Sequence, residues 1–268
     1  MIDLGKKNVL GILVNAIDYD GAVEKIISAA CRKVPFAVSA LAVHGVMTGV
    51  LDPVHKYRIN HFDLITPDGQ PVRWALNLLH KARLTDRVYG PELTLRVCER
   101  AAKENLSIYL YGSKPAVLEK LVKNLKHKFP GLTIAGSQPS QFKQLNQQEK
   151  EAVILGIKAS GADIVLVGLG CPRQEVWVFE HRNFLAMPLM AVGAAFDFHA
   201  GNLPTAPSYL QRIGMEWFYR LLQEPKRLWR RYLFLNPYYV WLLSLQLINF
   251  RKFDPLLYTQ PQDELRYG

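Results

Sequence analysis

Ile164-Val165-Leu166-Val167-Gly168-Leu169-Gly170-Cys171-Pro172-Arg173-Gln174-Glu175 sets a short apolar run against two glycines and a proline. Such a run, bounded by turn residues, reads as a strand buried on both faces. Pro172 suits the opening of a helix, because the first helical residue has no intrahelical use for its N–H. An amphipathic stretch, Glu149–Ala159, precedes it and a second apolar run, Leu189–Val192, follows. Strands separated by helices of this length imply right-handed crossovers in a parallel sheet.

The same alternation runs through the rest of the chain. Val9–Val14, Phe36–Ser39, Phe62–Thr66, Ser107–Tyr111 and Leu132–Ala135 read as strands. Gly21–Arg32, Val72–His80, Leu93–Asn105 and Val117–Lys128 repeat apolar residues at three and four and read as helices. The expected fold class is α/β with a mainly parallel sheet.

With 268 residues, 49% of them hydrophobic, the chain can bury a sizeable core, and 21% charged residues argue against global disorder. The 33 Lys and Arg against 23 Asp and Glu give +10, which favours anionic partners: nucleic acid, acidic lipid or phosphorylated substrate. Cys31, Cys98 and Cys171 form no CxxC pair and no Cys/His cluster, so thiols in a reducing compartment are expected. The N-terminus lacks a signal-peptide pattern, so a cytoplasmic location is expected.

The composition changes near Pro207. From Arg212 to Lys252 eight basic residues face two acids, and ten of the 29 aromatic residues fall there. The expected division is a catalytic body, 1–206, and a basic, aromatic helical appendage, 207–268. A helix over Pro225–Leu235 places Arg227 with Arg231, and Lys226 with Arg230, four apart. Leu228, Tyr232 and Leu235 share helical spacing, and the element reads as an interfacial helix or an ordinary solvated basic face. Leu233–Phe250 carries no charge, but Asn236-Pro237 interrupts it. The thirteen residues that remain span only about 20 Å, short of the ~30 Å of a bilayer's hydrocarbon.

Ligands of open α/β sheets sit beyond the carboxyl ends of the strands, and three loops occupy such positions. Thr66-Pro67-Asp68-Gly69-Gln70-Pro71 puts Asp68 at the sheet's mouth, as a turn or N-cap aspartate or as a general base. Gly168–Glu175 could cradle a phosphate near Gly170 or simply connect strand to helix, and Arg173, Gln174 and Glu175 add polar side chains. Tyr111-Gly112-Ser113-Lys114-Pro115 is a capped connection or a further ligand contact at Gly112. Asp18-Tyr19-Asp20 precedes a helix, and N-capping explains it better than a metal does. No metal or other cofactor is expected.

Together the motifs TPDGQPV (66–72), RVYGPEL (87–93), VGLGCPRQE (167–175), VGAAFDFHAG (192–201) and GMEWFYRLLQEPKRLWRRY (214–232) resemble the WecG/TagA/CpsF family of bacterial glycosyltransferases over about Val9 to Asn236. The resemblance implies a Rossmann-like body and a membrane-docking appendage. It implies metal-independent, inverting transfer of a hexose or N-acetylmannosamine-type sugar from a UDP-sugar to a polyprenyl-diphosphate-linked sugar. It implies Asp68 as base, with Arg87, Gln174 and Asp197 at the donor, and Arg220, Arg227, Arg230 and Arg231 at the acceptor diphosphate. Where many members carry Thr-x-Asn, this chain reads Val38–His44, leaving Ser39 and His44 as substitutes; where many carry Gly-Tyr-Phe, it reads Ser140-Gln141-Phe142. The expected partners are a UDP-sugar, the lipid-linked acceptor and an anionic membrane at the inner face of the cytoplasmic membrane, and no nucleic acid. A homo-oligomer is compatible with the sequence.

Two alternatives belong to other classes. A basic nucleic-acid-binding protein fits the net charge but shows no helix-turn-helix, RRM or zinc pattern. An NAD-dependent oxidoreductase fits the sheet, yet Asn15-Ala16-Ile17-Asp18 stands where GxGxxG would follow the first strand.

Overall fold

The computed structural model describes residues 1–268, apart from the side chains of Ser208, Arg212, Arg227, Arg230 and Arg231. Three of the expected acceptor contacts, Arg227, Arg230 and Arg231, therefore lie outside the described side chains.

The first expected strand is two. β1 (Asp3–Val9) and β2 (Ile12–Ile17) form an antiparallel hairpin. The turn between them has positive φ at both Leu10 (55°) and Gly11 (85°), the type I′ geometry that matches strand twist. A lone glycine after leucine is a weak turn signal, so the apolar run through it reads as continuous.

The remaining strands make one six-stranded parallel sheet in the order β4-β3-β8-β7-β5-β6. They are β3 (Phe36–Leu41), β4 (Leu64–Pro67), β5 (Ser107–Gly112), β6 (Thr133–Gln138), β7 (Ile164–Gly168) and β8 (Pro188–Ala191). The alternation within β7 shows why its run is unbroken. Val165 and Val167 pack into one core, Ile164 and Leu166 into the other. Both faces are covered, as parallel sheets require.

One face carries α1 (Tyr19–Cys31), α5 (Gly90–Lys103) and α6 (Pro115–Lys128), through Ile26, Val97 and Leu121 among others. The other carries α2 (Val43–Leu51), α4 (Gln70–His80), α7 (Gln147–Ala159) and α8 (Arg173–His181), with Met47, Leu76, Ile157 and Trp177 inside. α3 (Pro53–Asn60) joins α2 to β4. α2 and α3 had no sequence expectation: His44 and four buried polar residues of α3, His55, Lys56, Arg58 and Asn60, blur their period.

After β8 come the short helices α9 (Ala195–His199) and α10 (Ser208–Arg212), then α11 (Glu216–Gln223) and α12 (Pro225–Arg230). A π-helical turn, Arg231–Leu235, leads directly into α13 (Asn236–Leu247). Pro237 was expected to break the helix and does not. It stands in the first turn of α13, where its missing N–H follows the widened π turn. Among the described residues, no helix is long and apolar enough to cross a membrane.

The inward spacing of Leu228, Tyr232 and Leu235 holds: Leu228 is buried, Tyr232 is half-buried, and Leu235 packs against the main core. Tyr239, Leu242 and Leu243 of α13 belong to that core. Beyond α13 the chain wraps the body. Asn8, Lys56 and Asn60 side chains donate to the carbonyls of Phe253, Asp254 and Pro255, and Glu180 accepts the N–H groups of Leu265 and Arg266. Residues 236–268 are thus integrated with the body.

Candidate active site

β4 ends at Pro67 and α4 begins at Gln70, which leaves Asp68 and Gly69 to turn the chain over the end of the sheet. Asp68 does not cap its own helix. Its Oδ1 accepts the Gly90 N–H at 2.8 Å, at the start of α5, a position where partial positive charge favours a carboxylate. Oδ2 has no hydrogen-bond partner among the described residues, and the half-buried side chain lines a cavity of about 120 Å³.

That cavity has one wall from the body and one from the appendage. His44, Gln70, Arg87 and Tyr89 supply the first; Glu216, Trp217 and Arg220 of α11, with Tyr232 and Asn236, supply the second. A larger cavity of about 490 Å³ lies beside it, lined by Tyr19, Asp86, Phe198 and Gln211, with Gln70, Arg87 and Tyr89 common to both.

Burial pushes the Asp68 carboxyl up to about 6, against the pull of Arg87 and the Gly90 N–H; Glu216 adds to the rise and Arg220 opposes it. A carboxylate poised there is ionised at neutral pH yet a better base than a solvated aspartate. Tyr89 is also pushed well up, by burial and by Glu216 and Asp68, so its phenol stays neutral.

Arg87 is buried and paired. Its Nη2 donates to Glu216 in an ion pair across the body–appendage junction and to Gln211 Oε1 at 3.2 Å, while the guanidinium stacks 4.2 Å from the Tyr89 ring centre. Arg220 lies 5.5 Å from the Phe198 ring centre and forms no ion pair among the described residues.

Three other donor-side expectations, Ser39 in β3, Gly170 after β7 and Gln174 in α8, meet in a hydrogen-bonded knot around Glu175. Ser39 is fully buried and its Oγ donates to Glu175 Oε1 at 3.1 Å. Gln174 Nε2 donates to the same oxygen at 2.8 Å, and Gln174 Oε1 accepts the Gly170 N–H at 3.1 Å. Burial raises the Glu175 carboxyl, with Gln174, Ser39 and Cys171 donors opposing. Ser39 is therefore enclosed with its hydroxyl bound to Glu175, and the Gly170 N–H is engaged by Gln174. Glu175, expected to add a polar side chain to this loop, accepts both hydrogen bonds at the centre of the knot.

Gly112 is buried at a crossing of backbones. It has φ +107°, and a Cβ there would come within 2.8 Å of the Gly168 carbonyl oxygen. Its need for glycine is met by that packing, and Gly112 lies outside the lining of both cavities. Asp197 is half-buried in α9, its carbonyl accepting the N–H groups of Asn202 and Leu203. It lies outside the lining of both cavities. Asp18 caps α1, accepting the Gly21 N–H at 2.9 Å, as expected of a DxD before a helix. Ser140 and Phe142 bind the Gly268 carbonyl, through Oγ at 2.5 Å and N–H at 3.0 Å, so this segment receives the end of the wrapped tail. Glu216, Tyr89 and Trp217 were not singled out in the sequence, although each lies within a quoted motif.

A family model described as "Glycosyl transferase WecG/TagA/CpsF family" matches residues 7–253. A protein of Bacillus spizizenii named N-acetylglucosaminyldiphosphoundecaprenol N-acetyl-beta-D-mannosaminyltransferase is 32% identical over 188 residues, covering 70% of each chain.

Proposed function

Because this chain belongs to the WecG/TagA/CpsF glycosyltransferase family, we propose that it transfers a hexose or N-acetylmannosamine-type sugar from a UDP-sugar to a sugar on a polyprenyl diphosphate. Family membership sets aside the nucleic-acid and NAD readings. The observation that carries the proposal is Asp68: one oxygen anchored at Gly90, the other open in a cavity roofed by Trp217, Arg220 and Tyr232.

The reaction is a single in-line displacement. Asp68 takes the proton from an acceptor hydroxyl, whose oxygen bonds to the donor's anomeric carbon as the bond to UDP breaks with its electrons leaving on the diphosphate. Configuration inverts. Arg87 and Arg220, both lining the cavity, supply positive charge for the leaving diphosphate. Gln174 and Glu175 shape the nucleotide side, with Ser39 holding Glu175 in place.

The bare apolar side chains of the appendage support docking on an anionic membrane at the inner face. Leu233 is 57% exposed, Phe234 64%, Trp241 53% and Phe250 80%, and basic residues beside aromatics favour acidic lipid. Docking there would bring a lipid-borne diphosphate to the cavity's appendage wall and shield the donor from water.

The test is a thermal-shift screen of UDP, UDP-glucose and UDP-N-acetylmannosamine, followed by UDP-release assays with short-chain polyprenyl-diphosphate N-acetylglucosamine or glucose. Stabilisation by a UDP-sugar and acceptor-dependent UDP release are expected. No stabilisation and no release with any pair would overturn the proposal.

A further inference from the structure

A buried ion pair costs desolvation that a hydrophobic contact would not, so its position asks for a reason. Arg87 and Glu216 side chains are only 9% and 10% exposed, one on the body and the other on α11. Gln211 of α10 grips the same Nη2 and is itself anchored, its Nε2 donating to the Ala206 carbonyl at 2.8 Å. The Tyr89 ring lies against the guanidinium. Arg87 is thus held at one corner and on one face, while Nε and Nη1 have no partner among the described residues on a side chain that lines both cavities.

We propose that Glu216 is a positioning residue for the transfer: it clamps Arg87 from the appendage, so that the free edge of the guanidinium meets the donor's diphosphate beside Asp68 only when the appendage is seated. This rests on the glycosyl-transfer reading above. Glu216 has a second consequence for Asp68. Arg87 and Arg220 draw the carboxyl down, and Glu216 offsets them. Tyr89 stays neutral, Tyr19 is likewise pushed up by burial, and Asp86, Glu92, Arg96, His199, His44 and Tyr232 complete the titratable groups around these cavities. Removing the Glu216 charge leaves the two arginines unopposed, so Asp68 ionises at lower pH.

Full-length wild type, Glu216→Gln, Glu216→Asp, Arg87→Ala and the double variant Arg87→Ala/Glu216→Gln are compared, by UDP affinity and by transfer kinetics across pH. Glu216→Gln should weaken UDP binding about threefold to tenfold, lower kcat about tenfold to a hundredfold, and move the acid limb of kcat/KM to lower pH. Glu216→Asp, which keeps the charge, should retain the wild-type limb while losing kcat. The double variant should be no worse than Arg87→Ala, since an effect exerted through Arg87 vanishes without it. Additive losses in the double variant, or a Glu216→Gln protein with wild-type UDP affinity and an unmoved limb, would overturn the proposal. So would losses that track only a lowered melting temperature. A wild type that neither binds UDP nor releases it from a UDP-sugar would instead defeat the glycosyl-transfer reading.

Discussion

Asp68 is bound at one oxygen and available at the other, and this division decides what its substitution does. Asp68→Asn keeps the Gly90 hydrogen bond and loses the base, so kcat should fall about 10²–10⁴-fold with UDP affinity nearly unchanged in a binding titration. The same substitution should affect stability in the opposite direction. The folded carboxyl is raised to about 6 from 3.8, so the protonated form favours folding, and stability is lost as pH rises through about 6. Asp68→Asn removes that cost, which is on the order of 1–3 kcal/mol. Denaturant melts should show the variant more stable than wild type at pH 7.5 and indistinguishable at pH 4. The position of Asp68 at the sheet's mouth was legible from the strand before it and the proline-started helix after it, whereas the choice between a turn aspartate and a base came from the family resemblance. Ser39 was not: a serine four residues before a helix looks the same whether it faces a ligand or, as here, a buried glutamate from a distant loop.

At the scale of elements, the βα loops are stiff because their backbones pass close together. Gly112→Ala places a Cβ against the Gly168 carbonyl and forces a positive φ on alanine, so it should destabilise by about 2–4 kcal/mol, read as a lowered denaturation midpoint. The appendage elements divide differently. α13 is half core, so removing residues 214–268 would strip Tyr239, Leu242 and Leu243 from the body and unfold what it was meant to test. Replacing exposed residues separates the roles. Leu233→Ser/Phe234→Ser/Trp241→Ser should abolish sedimentation with anionic vesicles while the melting temperature moves by no more than a few degrees. Short apolar runs and repeats at three and four made the six sheet strands and the long helices α1, α4, α5, α6 and α7 readable. The hairpin was hidden because it depends on positive φ at Leu10 and Gly11, and the π turn because it widens one helical turn at Arg231–Leu235, features that a periodic pattern does not encode.

Over the whole molecule, the chain's last residues close what the first strands open. The β1–β2 hairpin and α3 hold the segment after α13, and Lys150, with its side chain 2% exposed, pairs with Glu264 at 2.5 Å. Residues 236–268, within the stretch set apart by composition, are therefore wound around the body, and composition could not show this, because solvated tails and packed ones share the same charged and aromatic residues. Glu264→Gln leaves the buried ammonium without its counter-charge and should cost about 1–3 kcal/mol, measured by equilibrium unfolding, with no change in UDP affinity. Asp68, Arg87, Glu216 and Arg220 gather at one junction, where residues before and after Pro207 each supply a wall of the same cavity. The most direct test is single-turnover transfer from a UDP-sugar to a polyprenyl-diphosphate sugar in anionic vesicles, with wild type and Asp68→Asn compared across pH. Wild-type transfer rising with pH through about 6, and a variant that binds UDP but transfers at least a hundredfold more slowly at every pH, is the predicted result. A variant that transfers at wild-type rate, or loses UDP binding and transfer together, would contradict the role of Asp68 as the base.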